Sequence, residues 1–278
     1  MYIKSVTALY FSPTGGTESI ITYVAEKIAQ GLQVSLNCED ITLPEERIKE
    51  HTYTSDTLVI VGTPVYAGRV PNKISPDLLE YFAGSKTPAI AVSVFGNRSP
   101  DDAGRELKQI LEKKGFVPVA SAAIVNRHVF SAHLGQDRPD EKDREEMNRW
   151  ISEIIEDYKR DQIVPLQSVL SDELAPYYRP LDENLQPADF LKARPKTDED
   201  SCIQCGLCAA RCPMGSIRKE NRYEAKGICI KCQACIKVCP KHAKYFEDEA
   251  FLSHIRMLET TCSRRAKNYF ERRRDPGH

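Results

Sequence analysis

Along residues 1–160, short apolar runs alternate with stretches in which apolar residues recur every three or four positions. Residues 6–11 form a run of the first kind and read as a buried strand. Ile20, Ile21, Val24, Ala25 and Ile28 follow at helical spacing. Residues 34–38, 57–61, 89–95 and 117–124 repeat the strand signature. Residues 73–81 and 102–114 fit helices between them, the second stopped by Gly115. A last, charged helix over 141–160 carries Met147, Trp150, Ile151, Ile154, Ile155 and Tyr158 on one face. Strands that alternate with helices in this way predict βαβ units, so residues 1–162 are expected to form a doubly wound α/β domain on a parallel sheet of five strands.

The periodicity stops at residue 163. Five prolines (Pro165, Pro176, Pro180, Pro187, Pro195) and no sustained period predict an irregular connector over 163–196, lying along the surface. Residues 251–278 predict one helix, 251–261, followed by an arginine-rich end, which together form a helical basic tail. No apolar run approaches the roughly 18 residues of a membrane span. With no charged segment followed by an apolar block at the N-terminus, a cytoplasmic location is expected. The net charge of −1 argues against nucleic acid as a partner, but it hides an uneven distribution. Residues 1–195 sum to −7 and residues 196–278 to +6, an acidic body and a basic C-terminal part that either dock on each other or face different partners.

Cysteine changes the picture most. Of 10 cysteines, 8 fall in the 38 residues from Cys202 to Cys239. Cys202, Cys205, Cys208, Cys212 and Pro213 recur 27 positions later as Cys229, Cys232, Cys235, Cys239 and Pro240. Both halves read C-x2-C-x2-C-x3-C-P, the spacing of iron–sulfur sites in which the fourth cysteine reaches the other cluster. Three thiolates on a tight loop hold one corner of a cubic cluster, and the proline turns the chain so that the fourth thiolate crosses over. Cys202, Cys205, Cys208 and Cys239 are therefore expected to bind one [4Fe–4S] cluster, and Cys229, Cys232, Cys235 and Cys212 the other. A zinc ribbon uses four cysteines in two C-x2-C pairs and does not call for eight. Residues 197–250 resemble a bacterial two-cluster ferredoxin domain, a small α+β unit. Cys38, on a predicted core strand, reads as a small buried residue, and Cys262 as non-catalytic.

The loop Ser12-Pro13-Thr14-Gly15-Gly16-Thr17 lies between the first strand and the first helix. Its hydroxyls can donate to phosphate oxygens, its glycines admit close backbone approach, and the helix N-terminus favours an anion. It lacks the Gly-Lys-Ser/Thr ending of a triphosphate loop and the G-x-G-x-x-G of a dinucleotide site, so a phosphate monoester fits best. The loop resembles the S/T-x-T-G-x-T phosphate loop of flavodoxins, which binds FMN. That resemblance implies a sheet order of 2-1-3-4-5, with two further loops beside the flavin ring: Thr63-Pro64-Val65-Tyr66-Ala67-Gly68, running on to Arg69, and Phe95-Gly96-Asn97-Arg98. Tyr66 is then placed to stack on the ring. Phe95 either faces the ring or ends its strand as core. Arg69 or Arg98, if near the flavin, favours its anionic reduced form.

Taken together the chain resembles flavodoxin–ferredoxin fusion proteins of anaerobic bacteria. The resemblance extends to the segment 135–143 ahead of the last flavodoxin-like helix. It implies an electron-transfer protein that carries FMN and two [4Fe–4S] clusters and works with protein redox partners. Two other readings stay open. One is an FMN-dependent reductase of a small organic acceptor, with a pocket bounded by Tyr66, Asn97, Arg98 and His128. The other is a redox sensor or docking module, with Arg264, Arg265, Arg272, Arg273 and Arg274 as its contact surface. His128 and His133 read as loop histidines, with no nucleophile–base pair evident.

Overall fold

The computed structural model describes residues 2–218, 220–221 and 223–273. Its main sheet is built from β1 (Ser5–Tyr10), β2 (Ser35–Asp40), β3 (Thr57–Pro64), β4 (Thr87–Phe95), β5 (Phe116–Val125) and β6 (Tyr269–Arg272). The order is β6-β5-β4-β3-β1-β2, with the first five strands parallel and β6 antiparallel to β5. The five parallel strands thus follow the flavodoxin-like doubly wound order, which places ligands at the carboxyl ends of the strands.

Alternating strand residues feed opposite layers, as period-2 geometry requires. Val6, Ala8, Ile60, Ile90 and Val92 pack under α1 (Gly16–Leu32) and α4 (Glu141–Lys159). Leu9, Val59, Val61, Ala89 and Ala91 pack on the other face under α2 (Ser75–Tyr81) and α3 (Ala103–Lys113). Gly62 owes its identity to this packing, since a Cβ there would lie 2.1 Å from Ile21 of α1.

The C-terminal tail departs from expectation. Only α5 (Glu249–Thr261) is helical; the chain then returns to the first domain and adds β6 to the sheet. The unpaired edge of β5 supplies the reason, because an uncovered strand edge is a row of unused hydrogen-bonding groups. Arg272 pairs with Glu153 at 2.8 Å and Asp157 at 2.5 Å, both on α4, while Glu271 takes Lys108 at 2.6 Å and Ser121 at 2.7 Å. Arg265 pairs with Asp140 and, at 3.1 Å, with Asp143. Arg265 and Arg272, read from sequence as docking groups, are therefore engaged within the chain, and Arg274 lies outside the described residues. Arg138, just ahead of α4, forms a buried pair with Asp143 in its first turn, and Asp140 caps α4.

Cys38 is a second departure. It is exposed, because β2 is the far edge strand and its side chains are largely uncovered. Two short strands, His51–Tyr53 and Phe82–Gly84, form a parallel pair that the sequence pattern does not announce.

Candidate functional site

The 27-residue repeat carries through to the backbone. Gln204 and Gly206 have φ of 54° and 79°, and Lys231 and Gln233 have 56° and 66°. Residues of left-handed conformation two apart mark a concavity of N–H groups that suits an anion. Three of these four residues are not glycine, so the strain is accepted for a reason outside local propensity. Beyond each proline the correspondence continues. Ser216 donates its N–H to Cys212 Sγ and Ala243 donates to Cys239 Sγ, both at 3.3 Å. A short helix, Leu207–Ala210 or Ala234–Lys237, follows each loop.

Cys202, Cys205, Cys208 and Cys239 border one small cavity, and Cys212, Cys229, Cys232 and Cys235 border another. The structure thus brings together the same two foursomes that the spacing groups. Among the described residues no group of three or more His, Cys, Asp or Glu converges as a single-ion site. The thiols of each foursome border an opening. Burial raises the Cys229 and Cys232 thiols and pushes Cys235 up to about 12, the direction that a bound metal would oppose by favouring the thiolates. Ile217, Ile228, Ile230 and Phe246 pack around the second ring.

A larger cavity of about 580 Å³ opens at the carboxyl ends of β1, β3, β4 and β5. Thirteen of the sixteen residues expected to contact flavin border it, from Ser12 to Arg98. The other three have different work. Gly15, at φ 82°, makes the left-handed entry to α1. Thr63 is fully buried in β3, and its hydroxyl has no hydrogen-bond partner among the described residues. Asn97 turns away from the cavity and clamps the tail, donating to Cys262 O at 2.7 Å and Arg264 O at 3.0 Å and accepting from Ala266 N–H at 3.1 Å. Phe95 ends its strand as core with Ala123 and Val125, and it also borders the cavity.

In the first loop, Ser12 Oγ accepts the Glu18 N–H at 2.9 Å and Ser12 N–H donates to Thr42 Oγ1 at 2.8 Å. This fixes the loop against the start of α1 while its hydroxyl proton stays available. Gly16 carries no Cβ because Asn126 Nδ2 approaches and donates to Gly16 O at 2.9 Å.

The connector forms part of the wall. Tyr177, Tyr178, Phe190, Leu191 and Arg194 all border the cavity. Arg69 fastens this segment instead of entering the cavity: it holds Glu106 at 2.9 Å, donates to Ala175 O at 2.9 Å and lies 4.7 Å from the Tyr177 ring centre. Arg98 does border the cavity, with Tyr178 at 3.9 Å. α5 adds His254 and Leu258. Sequence reasoning missed the contributions of the connector and α5; the one available signal was a Tyr-Tyr pair in an otherwise polar, proline-rich stretch.

His128 also borders the cavity. Its Nδ1 accepts the Phe130 N–H at 3.1 Å, which leaves the ring proton on Nε2. Burial, with His254 and Arg98 nearby, pushes its pKa down to about 4, so it is neutral near pH 7. His133 is exposed. Burial likewise holds the Tyr66 phenol well above its usual range, with Cys232 and Cys229 adding to the rise.

The cavity and the second thiol ring are contiguous. Cys229 borders both, and Ile228, Ile230 and Lys231 form the wall between them. Arg47 locks this arrangement. It is buried, donates to Ile41 O, Thr42 O and Pro213 O, the last at 3.0 Å, and pairs with Asp77 at 2.9 Å. Thr42 holds Ser12, and Pro213 follows the crossing ligand Cys212, so one side chain links the phosphate-type loop to the thiol ring.

A 4Fe–4S dicluster domain model matches residues 194–240. The pyruvate synthase subunit PorD of Methanothermobacter marburgensis is 38% identical over 56 residues, covering 20% of this chain and 68% of that protein. The delta subunit of an NADH-dependent phenylglyoxylate dehydrogenase from Aromatoleum evansii is 28% identical over 88 residues, covering 30% and 94%. An uncharacterized ferredoxin of Methanocaldococcus jannaschii is 46% identical over 48 residues, and the match spans only 27% of its length. Among solved structures, an archaeal flavodoxin has 14% identity and a TM-score of 0.37, covering 56% of this chain and 99% of that one. An NADH:FMN oxidoreductase has 14% identity and a TM-score of 0.40, covering 55% and 88%. The strand order assigns the fold.

Proposed function

We propose that this chain, which belongs to the 4Fe–4S dicluster ferredoxin family through its C-terminal region and has the make-up of a flavodoxin–ferredoxin fusion, passes single electrons between two [4Fe–4S] clusters and a bound FMN. Residues 1–162 hold the flavin and residues 197–250 the clusters, with 163–196 as connector. Cys202, Cys205, Cys208 and Cys239 bind one cluster; Cys212, Cys229, Cys232 and Cys235 bind the other. The observation that carries this reading is Cys229, which borders both a thiol ring and the cavity at the sheet's carboxyl edge. Contiguity makes the Cys229 cluster the flavin's neighbour and the Cys202 cluster the outer one.

The cavity fits the group. Its volume lies within the roughly 300–1,000 Å³ of cofactor sites. Ser12, Thr14, Thr17 and the first amides of α1 hold the phosphate, and the Pro64–Gly68 loop, Phe95, Gly96 and Arg98 hold the ring. The flavin supplies the capacity to take one or two electrons, which the clusters lack. The chain contributes spacing, exclusion of water by the connector, and a fixed neutral His128. Relatives named as subunits of pyruvate synthase and of phenylglyoxylate dehydrogenase favour a protein as the electron source. A reducing cytoplasm is the setting that keeps eight thiols available.

Anaerobic purification with iron, sulfide and flavin quantification tests this. About eight irons and one FMN per chain are expected for two four-iron clusters; zinc without flavin overturns the reading.

A further inference from the structure

The walls of the flavin-sized cavity have two origins. Ser12, Tyr66 and Phe95 stand at or just beyond the ends of core strands, in backbone that the apolar layers hold without any ligand. Ile228, Cys229, Ile230 and Lys231 also border the cavity, and they belong to the second cysteine loop. Ile230 packs, half-buried, on the layer that includes Leu9, Val61 and Leu107. Lys231, left-handed at φ 56°, donates from Nζ to Leu191 O at 2.6 Å. Leu191 and its neighbour Phe190 border the cavity as well, and the Phe190 ring centre lies 5.2 Å from that of His254 on α5. A residue lodged between two thiols thus grips the connector where the connector closes the cavity.

The 27-residue repeat supplies an internal control. Ile203 and Gln204 hold the places of Ile230 and Lys231 in the first loop, and neither borders this cavity. Ile203 is 56% exposed, and Gln204 donates to Tyr223 Oη at 2.7 Å, inside the cysteine region. Both loops carry the same ligand pattern, so what sets the second apart is not a requirement of holding iron.

We propose that the 228–231 segment is an element of the flavin site that the Cys229 cluster holds in shape, so that loading the ring of Cys212, Cys229, Cys232 and Cys235 raises the affinity for FMN and loading the other ring does not. This rests on the proposed function and adds a dependence between its cofactors. Lys231 and Gln233 are left-handed without being glycine, and few side chains of this region are buried, so the loop has little local reason to keep its shape. Ligation to iron fixes Cys229 and Cys232, and with them the two residues between. Without iron, FMN has to order this wall as it binds, and the ordering is subtracted from its affinity. Linkage is reciprocal, so bound FMN holds iron in the Cys229 ring and leaves the Cys202 ring as it was. Charge works the other way. Four thiolates leave a cluster anionic and FMN carries a phosphate, so repulsion alone lowers the affinity on loading. A rise therefore reports the wall.

Anaerobic FMN titration of the full chain, read by the quenching of flavin fluorescence, tests this. Iron-free protein is expected to bind FMN about tenfold more weakly than protein with both clusters. Lys231→Met keeps every ligand and is expected to cost about fivefold in affinity, with iron content unchanged. In iron-free protein the same substitution is expected to cost less, because the wall is already unformed. Gln204→Met, its counterpart in the first loop, is expected to leave the affinity as it is. In the reverse direction, saturating FMN is expected to slow chelator release of iron from one cluster and not from the other. An affinity equal with and without iron, an affinity unmoved by Lys231→Met, or release slowed equally at both clusters overturns the inference and leaves the proposed function standing. Fully loaded protein that binds no FMN overturns the proposed function, and this inference with it.

Discussion

The two halves of the molecule reach order by different routes. The sheet body is specified by side chains: two apolar layers, fed by alternating strand residues, close on both faces. The cysteine region has little of this. Among the described residues of 197–250 the buried apolar side chains are Pro213, Ile217, Cys232, Ala234 and Ala243. Its order lies in the backbone, in left-handed residues and N–H to sulfur contacts that recur at an interval of 27. A core works without any ligand, whereas a cradle of thiols and amides needs something to hold. The body should therefore survive what unfolds the second region.

Removing iron with a chelator under denaturant-free conditions gives the largest contrast. The 197–250 region is expected to lose its protection in hydrogen exchange almost entirely, while β1, β3 and β4 keep theirs. Loss of protection across both regions would break the distinction. Next comes Arg47→Met, which removes the side chain shared by the two. It should cost about 3–5 kcal/mol of stability, as expected when one partner of a buried ion pair is lost, and, under the proposed function, slow electron exchange between clusters and flavin with iron and FMN content retained. Rapid-mixing absorbance measures this, and an unchanged rate would show that the regions are held together elsewhere.

A smaller effect comes from pH. His128 titrates at about 4 in the folded chain against about 6.5 unfolded, so the unfolded state binds the extra proton between these values. The stability that His128 contributes is therefore fully present above pH 6.5 and falls as pH drops toward 4, by up to about 3 kcal/mol. His128→Phe should flatten that part of the urea-midpoint profile. Smallest is Asn97→Ala, which leaves the Cys262 and Arg264 carbonyls and the Ala266 N–H without their partner. A loss of about 1–3 kcal/mol is expected, confined to the tail and read as faster exchange in β6.

The same contrast explains what the sequence reveals. Alternation and helical spacing locate the five parallel strands and their helices to within a few residues, because burial on both faces demands those patterns. Cysteine spacing groups the thiols because short loops leave few geometries for them. The cavity's outer wall is legible in neither way. Tyr177, Arg194 and His254 reach it through a connector without period and a helix more than 200 residues from the first loop. β6 escapes for a similar reason, since four residues that cover an edge leave no pattern longer than a turn. Asn97 shows the reverse: its loop neighbours border the cavity, but its own side chain serves the tail.

β6 also changes how the whole chain should be pictured. β5 ends at Val125 and its antiparallel neighbour begins at Tyr269, so the helix α4, the connector and the thiol rings together form one long excursion between adjacent strands of a single sheet. The cysteine region is thus an insertion anchored at both ends, not a pendant domain. A pendant domain that comes loose swings on one tether; one held at both ends stays at high effective concentration beside its docking face. Because the last strand leaves the ribosome after both cysteine loops, the sheet completes its edge only once the segment that carries the metal has been made.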